Sequence, residues 1–333
     1  MVEDITNHTV PGQDEAGGHD RQLKKTALLF PGQGAQYVGM GFDIYQRFTE
    51  ARTVFEETEA VLGPGFIEII FEGPEDKLTE TALAQPAILT VSTAISRILF
   101  SHGLKADGLA GLSLGEYSAL VAAGVVPFRE ALPLVSKRGM LMQEATPPDT
   151  GGMIAIMGLN HAEVIEICRE ARKSGVVAPA NFNCPGQIVI SGEKAALEQA
   201  HHLASAAGAK RITPLRVSAP FHSILLQPVE AGLAKILAKI PFNQPDIPVI
   251  FNINAACCSE PRKIKENLIR QVSHPILWEQ SVHTLLSRGI NRFIGIGPGT
   301  SPARLMKRIS PQSETVALDN AAAIEEFLGG MNQ

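Results

Sequence analysis

The segment Gly111-Leu112-Ser113-Leu114-Gly115 is the part of the chain best suited to covalent catalysis. Glycine, any residue, serine, any residue, glycine is the nucleophile-elbow pattern, in which the glycines allow a strained turn that holds the serine hydroxyl clear of a sheet. The same pattern also occurs as a plain turn. Residues 108–112 predict a buried strand before it and residues 117–124 predict a helix after it, which is the context that an elbow needs. We therefore interpret Ser113 as a nucleophile.

A serine nucleophile needs a base, and the chain has nine histidines. His222 lies in Ser218-Ala219-Pro220-Phe221-His222-Ser223, an abrupt loop between a predicted strand and a long predicted helix. Loops of this kind often carry catalytic groups, whereas the other histidines fall in the N-terminal segment, in a turn, or at helix ends and on helical surfaces. His222 is therefore the favoured base, with a helix-capping role as the alternative.

The order of residues argues against an ordinary Ser-Asp-His triad. Asp149 is the only aspartate between Ser113 and His222, and it lies in a turn rich in proline and glycine. A third of the chain still follows His222, whereas the triad histidine of an α/β-hydrolase comes late. The sequence therefore predicts a Ser-His dyad whose imidazole is oriented by a group other than a carboxylate.

The loop Pro31-Gly32-Gln33-Gly34 follows residues 26–30, an apolar run that predicts a strand. If this strand is a parallel neighbour of the strand before Ser113, the loop emerges at the same edge of the sheet as the serine. Its backbone N–H groups would then face a developing oxyanion, together with the N–H of Leu114, the residue after the nucleophile. A tight turn without such a role is the alternative for this loop.

Strands and helices alternate along most of the chain, which predicts a mostly parallel sheet covered by helices on both faces. Residues 151–217 instead show the βαββαβ order of a ferredoxin-like unit. We therefore predict an α/β fold with a parallel-sheet, hydrolase-like core (residues 26–150 and 218–333) and an inserted ferredoxin-like subdomain (residues 151–217). The polar residues 1–25 lack an apolar segment and are predicted to be a disordered tail without a targeting role.

The composition narrows the class of protein. Hydrophobic residues make up 45% and charged residues 19% of the 333 residues, which is typical of globular proteins. The net charge of −5 leaves no excess of Lys and Arg for a phosphate backbone, so nucleic-acid binding is not expected. No apolar run approaches the roughly 20 residues that span a bilayer. The four cysteines suggest neither a disulfide framework nor a zinc site, which favours a reducing cytoplasm.

Six motifs together resemble the malonyl-CoA:acyl carrier protein transacylases. The resemblance covers about residues 26–331, and a set of ordered motifs is far more specific than any single one. In chain order they are Phe30-Pro31-Gly32-Gln33-Gly34-Ala35-Gln36, Gly111-Leu112-Ser113-Leu114-Gly115-Glu116-Tyr117-Ser118-Ala119-Leu120, Arg138-Gly139, Asn181-Phe182-Asn183-Cys184-Pro185-Gly186-Gln187, Pro220-Phe221-His222-Ser223 and Gly295-Ile296-Gly297-Pro298-Gly299.

The resemblance implies a ping-pong transfer of malonyl from malonyl-CoA to the phosphopantetheine thiol of acyl carrier protein. Ser113 would hold the malonyl group as an ester, while His222 takes the serine proton and later returns it to the leaving thiol. The family orients this histidine with a backbone carbonyl, here implied to be that of Gln271. The N–H groups of Gln33 and Leu114 are implied to form the oxyanion hole.

The resemblance also implies how malonyl is selected. Arg138, which spacing alone does not distinguish from a solvated helical arginine, would pair with the free carboxylate of malonyl. The bulky Phe221 resembles the malonyl-selective pattern of related polyketide acyltransferases, in which it crowds an α-methyl branch. Leu112 departs from the family, because many members have histidine there. We expect the chemistry to survive this change with an altered rate or pH dependence.

Several alternatives remain open on the sequence. The same chemistry would serve a free-standing acyltransferase of a polyketide pathway. An acyl-hydrolase on the same fold is a second enzymatic possibility, and a carrier-binding protein with a degenerate site is a non-enzymatic one. No metal, nucleotide or prosthetic group is implied. The lack of an obvious interface stripe favours a monomer.

Overall fold

The computed structural model describes residues 24–147 and 150–331. Asp149 and nearly all of the predicted N-terminal tail lie outside the described residues. The strands, in chain order, are β1 (Thr26–Phe30), β2 (Gly108–Gly111), β3 (Gly151–Met157), β4 (Val177–Cys184), β5 (Gln187–Glu193), β6 (Arg211–Pro214), β7 (Val249–Phe251), β8 (Ala256–Cys257), β9 (Arg292–Ile296) and β10 (Glu314–Leu318).

The helices lie between these strands and, in the case of the last helix, after β10. They are α1 (Phe42–Arg47), α2 (Thr49–Leu62), α3 (Phe66–Glu72), α4 (Glu75–Thr79), α5 (Thr81–Ser101), α6 (Gly115–Ala122), α7 (Phe128–Glu144), α8 (His161–Ala171), α9 (Lys194–Ala206), α10 (Gln227–Leu237), α11 (Pro261–Gln271), α12 (Trp278–Ser287), α13 (Ser301–Ile309) and α14 (Ala321–Met331). One 3₁₀ turn, Arg172–Ser174, follows α8, and another, Ile224–Leu226, precedes α10.

A six-stranded sheet with the order β10-β9-β1-β2-β7-β8 is parallel except for its edge strand β8. Every residue of β1 is buried, because helices cover both faces of the sheet and both must be apolar. The parallel pairing of β1 with β2 brings Phe30 opposite Gly111. The loop after β1 and the serine after β2 therefore leave the sheet at the same edge, as the sequence predicted.

A separate four-stranded antiparallel sheet has the order β4-β5-β3-β6. With α8 and α9 it has the βαββαβ connectivity and strand order of a ferredoxin-like unit. Its apolar side chains form a cluster of their own, centred on residues such as Ile156, Val164 and Ile188. The predicted fold class, a mostly parallel sheet plus a ferredoxin-like unit, is confirmed.

Helix α5 is the longest helix among the described residues. It spans 21 residues and is long and apolar enough to cross a membrane by length and composition alone. However, 83% of its most apolar window is buried inside the protein, where it packs mainly against α2 and α7. The expectation that no apolar segment approaches the length of a membrane span therefore does not hold for α5. Buried polar residues such as Gln85 and Thr90 interrupt the run and concealed its length in the sequence.

Candidate active site

Ser113 lies on a tight turn between β2 and α6 and adopts the left-handed conformation with φ of 54°. Glycines are required on both sides of this turn. A Cβ atom on Gly111 would lie 1.9 Å from the carbonyl group of Gly115, and one on Gly115 would lie 2.5 Å from the carbonyl oxygen of Phe30. The turn is therefore possible only with glycine at these two positions. It has the geometry of a nucleophile elbow.

His222 lies next to the serine, although the two residues are 109 positions apart in the chain. Its Nε2 is 2.8 Å from the Oγ of Ser113, and its Nδ1 donates to the backbone carbonyl of Gln271 at 2.9 Å. A carbonyl only accepts, so the ring proton lies on Nδ1 and Nε2 is free to accept the serine proton. His222 also has a positive φ, 57°, and Ser113, His222 and Ala255 are the only such non-glycine residues in the described chain. Strain of this kind often accompanies functional sites.

The carbonyl that orients His222 belongs to the last residue of α11. The final carbonyls of a helix have no partner within the helix and carry the negative end of its dipole. This helix end therefore orients the imidazole and would stabilise an imidazolium formed by a proton from Ser113. It does so where a triad would use an aspartate.

His222 is neutral in the resting protein. It is only 5% exposed, and burial, with help from the nearby positive charge of Arg138, lowers its pKa to about 3. The hydrogen bonds of the ring to the backbone oppose this shift only in part. A neutral imidazole is the form required of a general base.

The backbone N–H groups of Gln33 and Leu114 have no hydrogen-bond acceptor within the described chain. Leu114 precedes the first residue of α6, so its N–H belongs to the positive end of that helix. The loop that carries Gln33 packs closely on the elbow, because a Cβ atom on Gly32 would lie 2.5 Å from the carbonyl oxygen of Leu112. The structure thus brings both predicted oxyanion donors to the edge of the sheet at Ser113.

Arg138 extends from α7 and is fully buried beneath the serine. Its Nη1 donates to the Oε1 of Gln85 at 2.8 Å, and its Nη2 donates to the Oε1 of Gln271 at 2.9 Å. The Nη2 group also lies 3.3 Å from the Oγ of Ser113. Uncharged amides hold the guanidinium, so its positive charge remains available to a carboxylate.

The surroundings of Arg138 contain two further buried groups from the start of α6. The guanidinium lies over the ring of Tyr117, 5.2 Å from its centre, and burial raises the pKa of the Tyr117 phenol to about 12. Burial also raises the pKa of Glu116 to about 7, although the hydrogen bond from Asn252 and the charge of Arg138 oppose the shift. The Glu116 carboxyl group therefore ionises only near neutral pH.

A cleft of about 1000 Å³ leads to Ser113. It runs between the two sheets, since residues of the first and the second sheet regions both line it, such as Gln33, Leu112, Asn183 and Val189. Phe221 is buried and lines the cleft, directly before His222 in the chain. Leu112 is half-buried and also lines the cleft.

Sequence reasoning missed two residues of the site, Asn252 and Gln85. Asn252 follows β7, the parallel neighbour of β2, and its Oδ1 accepts the N–H of Ser113 at 2.7 Å. A polar residue directly after the short apolar run of residues 249–251 was the signal that could have identified it. Gln85 is a fully buried amide in the apolar helix α5, and that isolated polar position was its signal.

The described residues contain no group of three or more His, Cys, Asp or Glu side chains that could hold a metal ion. The groups that do meet at Ser113 are a serine hydroxyl, a neutral imidazole, two free N–H groups and a buried cation. This set suits acyl transfer through a serine ester.

Comparison with known proteins agrees with this geometry. Residues 27–321 match the family described as acyl transferase domain. The chain is 43% identical over 307 residues to the malonyl CoA-acyl carrier protein transacylase of Escherichia coli K12, covering 92% of this chain and 99% of that protein. It is 42% identical over 304 residues to the protein of that name in Bacillus subtilis strain 168, covering 91% and 96%.

Solved structures give the same result. A crystal structure of an acyl carrier protein S-malonyltransferase from Vibrio cholerae superposes with a TM-score of 0.89 at 44% identity, covering 91% of this chain and 99% of that one. A malonyl-transacylase in complex with a type II polyketide acyl carrier protein superposes with a TM-score of 0.89 at 40% identity, covering 92% and 99%. The chain belongs to the acyl transferase family, among the malonyl-CoA:acyl carrier protein transacylases.

Proposed function

We propose that this protein transfers the malonyl group from malonyl-CoA to the phosphopantetheine thiol of acyl carrier protein, as an [acyl-carrier-protein] S-malonyltransferase of fatty-acid synthesis. The observation that carries the proposal is the position of Ser113, whose Oγ lies 2.8 Å from the base His222 and 3.3 Å from the buried guanidinium of Arg138. A nucleophile beside a dedicated cation fits an acyl group that bears its own carboxylate.

In the first half-reaction, His222 Nε2 takes the proton of Ser113 as Oγ attacks the malonyl thioester carbonyl. The N–H groups of Gln33 and Leu114 stabilise the oxyanion of the tetrahedral intermediate. His222 then gives its proton to the departing CoA thiolate, which leaves malonyl as an ester on Ser113. In the second half-reaction, the carrier thiol gives its proton to His222 and attacks the ester, and His222 returns the proton to Ser113.

Arg138 selects malonyl because its fork forms paired, charge-assisted hydrogen bonds with the terminal carboxylate. An acetyl group offers no such partner, and the guanidinium would remain buried and without a counter-ion. Phe221 acts as a second filter against an α-methyl branch, because it is buried against the acyl position of the cleft.

The cleft supports a division of the chain into a core (residues 26–150 and 218–333) and an inserted subdomain (residues 151–217). Each part has its own sheet, and the subdomain has its own apolar cluster.

The proposed function also places the enzyme in the cytoplasm, as a monomer that binds neither nucleic acid nor membranes. The free thiols of all four cysteines suit that compartment.

The alternatives differ in what accepts the acyl group. An acyl-hydrolase would pass it to water, but a buried cation has no use in a hydrolase of neutral acyl groups. A degenerate, carrier-binding protein is opposed by the intact Ser113–His222 pair. A polyketide pathway would use the same chemistry on another carrier, as the name of the type II polyketide complex indicates for that relative.

Intact-mass measurement tests the proposal. The protein is mixed with malonyl-CoA or acetyl-CoA, and the phosphopantetheinylated carrier is then added. We expect a malonyl adduct that Ser113→Ala abolishes and that moves to the carrier. No adduct, or loss of the adduct to water with the carrier unloaded, would overturn the proposal. Parallel assays with fatty-acid and polyketide carriers identify the pathway.

A further inference from the structure

Two side-chain amides hold the backbone of the nucleophile from opposite sides. The Oδ1 of Asn252 accepts the N–H of Ser113 at 2.7 Å, and the Nε2 of Gln271 donates to the carbonyl of Ser113 at 3.1 Å. Asn252 is held in turn, because its Nδ2 donates to the carbonyl of Gly111 at 2.7 Å. Both amides are fully buried. Together they fix a residue whose positive φ is intrinsically unfavourable.

The orientation of the Gln271 amide is determined by Arg138. A guanidinium only donates, so the Gln271 atom that faces Arg138 Nη2 at 2.9 Å must be the oxygen. The nitrogen then points to the carbonyl of Ser113, where it is the donor that a carbonyl requires. Reversing the amide would break both hydrogen bonds, so the position of Arg138 and the position of the Ser113 backbone depend on each other.

The Gln271 side chain is separate from the backbone carbonyl that orients His222. One residue at the end of α11 thus contacts the base through its main chain, and contacts the nucleophile and the cation through its side chain. We propose that the side-chain amide of Gln271 is a positioning residue that couples the binding of the acyl carboxylate at Arg138 to the alignment of Ser113. This inference rests on the proposed function.

The coupling has a physical direction. A malonyl carboxylate that binds the guanidinium fixes Arg138, and the Gln271 amide transmits that fixed position to the carbonyl of Ser113. An acetyl group makes no contact with Arg138 through a carboxylate and gains nothing from this connection. Loss of the amide should therefore slow malonyl transfer more than acetyl transfer.

The test uses Gln271→Met, which keeps the backbone carbonyl and the length of the side chain but removes the amide hydrogen bonds to Arg138, Ser113 and Asn252. Gln312→Met is the matched control, since Gln312 is exposed in the turn before β10. Single-turnover acylation by malonyl-CoA and acetyl-CoA is measured for each protein, alone and with Arg138→Ala. The rate of Ser113 labelling by a fluorophosphonate reports the reactivity of the serine without any acyl substrate.

We expect Gln271→Met to lower the maximal acylation rate with malonyl by about thirtyfold, since the buried hydrogen bonds to the Ser113 carbonyl and to the charged Arg138 are both lost. With acetyl, or in the Arg138→Ala background, the loss should be only about threefold. Gln271→Glu is the second variant. Its carboxylate competes with malonyl for Arg138, so it should raise the half-saturating malonyl-CoA concentration about tenfold and leave that of acetyl-CoA unchanged.

A merely structural role would slow both substrates and the fluorophosphonate reaction by the same factor in both backgrounds, and that result would overturn the inference. An unchanged malonyl rate in Gln271→Met would overturn it as well. Failure of the proposed function is a different observation, because the unaltered protein would then form no malonyl ester with any concentration of malonyl-CoA.

Discussion

Replacing Arg138 with alanine is the most direct perturbation of substrate selection. In the structure this change removes a fully buried cation and its contacts with Gln85, Gln271 and Ser113 at 2.8, 2.9 and 3.3 Å. In the malonyl complex it also removes the only partner that we assign to the acyl carboxylate. Truncating one member of a buried, hydrogen-bonded charge pair costs about 2 to 5 kcal/mol. A loss of transition-state stabilisation of about 3.5 kcal/mol, within this range, lowers kcat/KM for malonyl-CoA several hundredfold.

The same change should affect acetyl-CoA by less than about tenfold, because that substrate has no carboxylate to lose a partner. Arg138→Lys is the control variant, since it keeps the charge but lacks the planar fork, and it should recover only part of the malonyl activity. The assay measures kcat/KM for both substrates with a saturating carrier protein, and circular dichroism checks the fold. A parallel fall for malonyl and acetyl in Arg138→Ala would refute the role of Arg138 in selection.

Three further substitutions test other parts of the site. Phe221→Ser should raise the ratio of methylmalonyl to malonyl transfer about tenfold, because it makes room for the α-methyl branch. A competition assay read by mass spectrometry measures this ratio, and an unchanged ratio would show that Phe221 does not contribute to selectivity. Leu112→His should alter the pH–rate profile of malonyl transfer, and indistinguishable profiles would show that the departure at Leu112 is unimportant. Glu116→Gln should remove a pH dependence of stability: burial raises the pKa of Glu116 from 4.5 to about 7, so the native protein binds the proton more tightly and loses stability as the pH rises through that range. At pH 8 the folding stability lost through the ionisation of Glu116 is on the order of 3 kcal/mol. In thermal unfolding, the midpoint temperature should decrease more between pH 5 and pH 8 for the unaltered protein than for the variant. Equal decreases would contradict the assigned pKa.

The sequence predicted most of the elements because their signals are local. Residues 26–30 are continuously apolar, as a central parallel strand must be, and β1 has those bounds. The full length of helix α5 is not apparent from the sequence, since its buried polar residues, including Thr81 and Gln85, resemble surface positions. Periodicity records how often apolar residues recur, but not which polar residues find a buried partner.

The sequence by itself determined the chemical groups of this protein and the local shape of the turn that holds Ser113. Glycines at 111 and 115 permit the elbow at Ser113, and the lack of a suitable aspartate argued against an ordinary triad from residue order alone. These conclusions need only the types of residue and their order along the chain. The backbone carbonyl that orients His222 came from the resemblance to a family and not from spacing.

Only the tertiary structure decided how the amides around Ser113 are connected. Asn252 and Gln271 reach the serine across 139 and 158 residues of chain, and Gln85 reaches Arg138 across 53. Such contacts leave no periodic signal, because each depends on where separate helices and strands end in the folded protein. The position of Arg138 beside Ser113 has the same origin: the sequence contains the arginine, but packing of α7 against α5 buries its charge next to the serine.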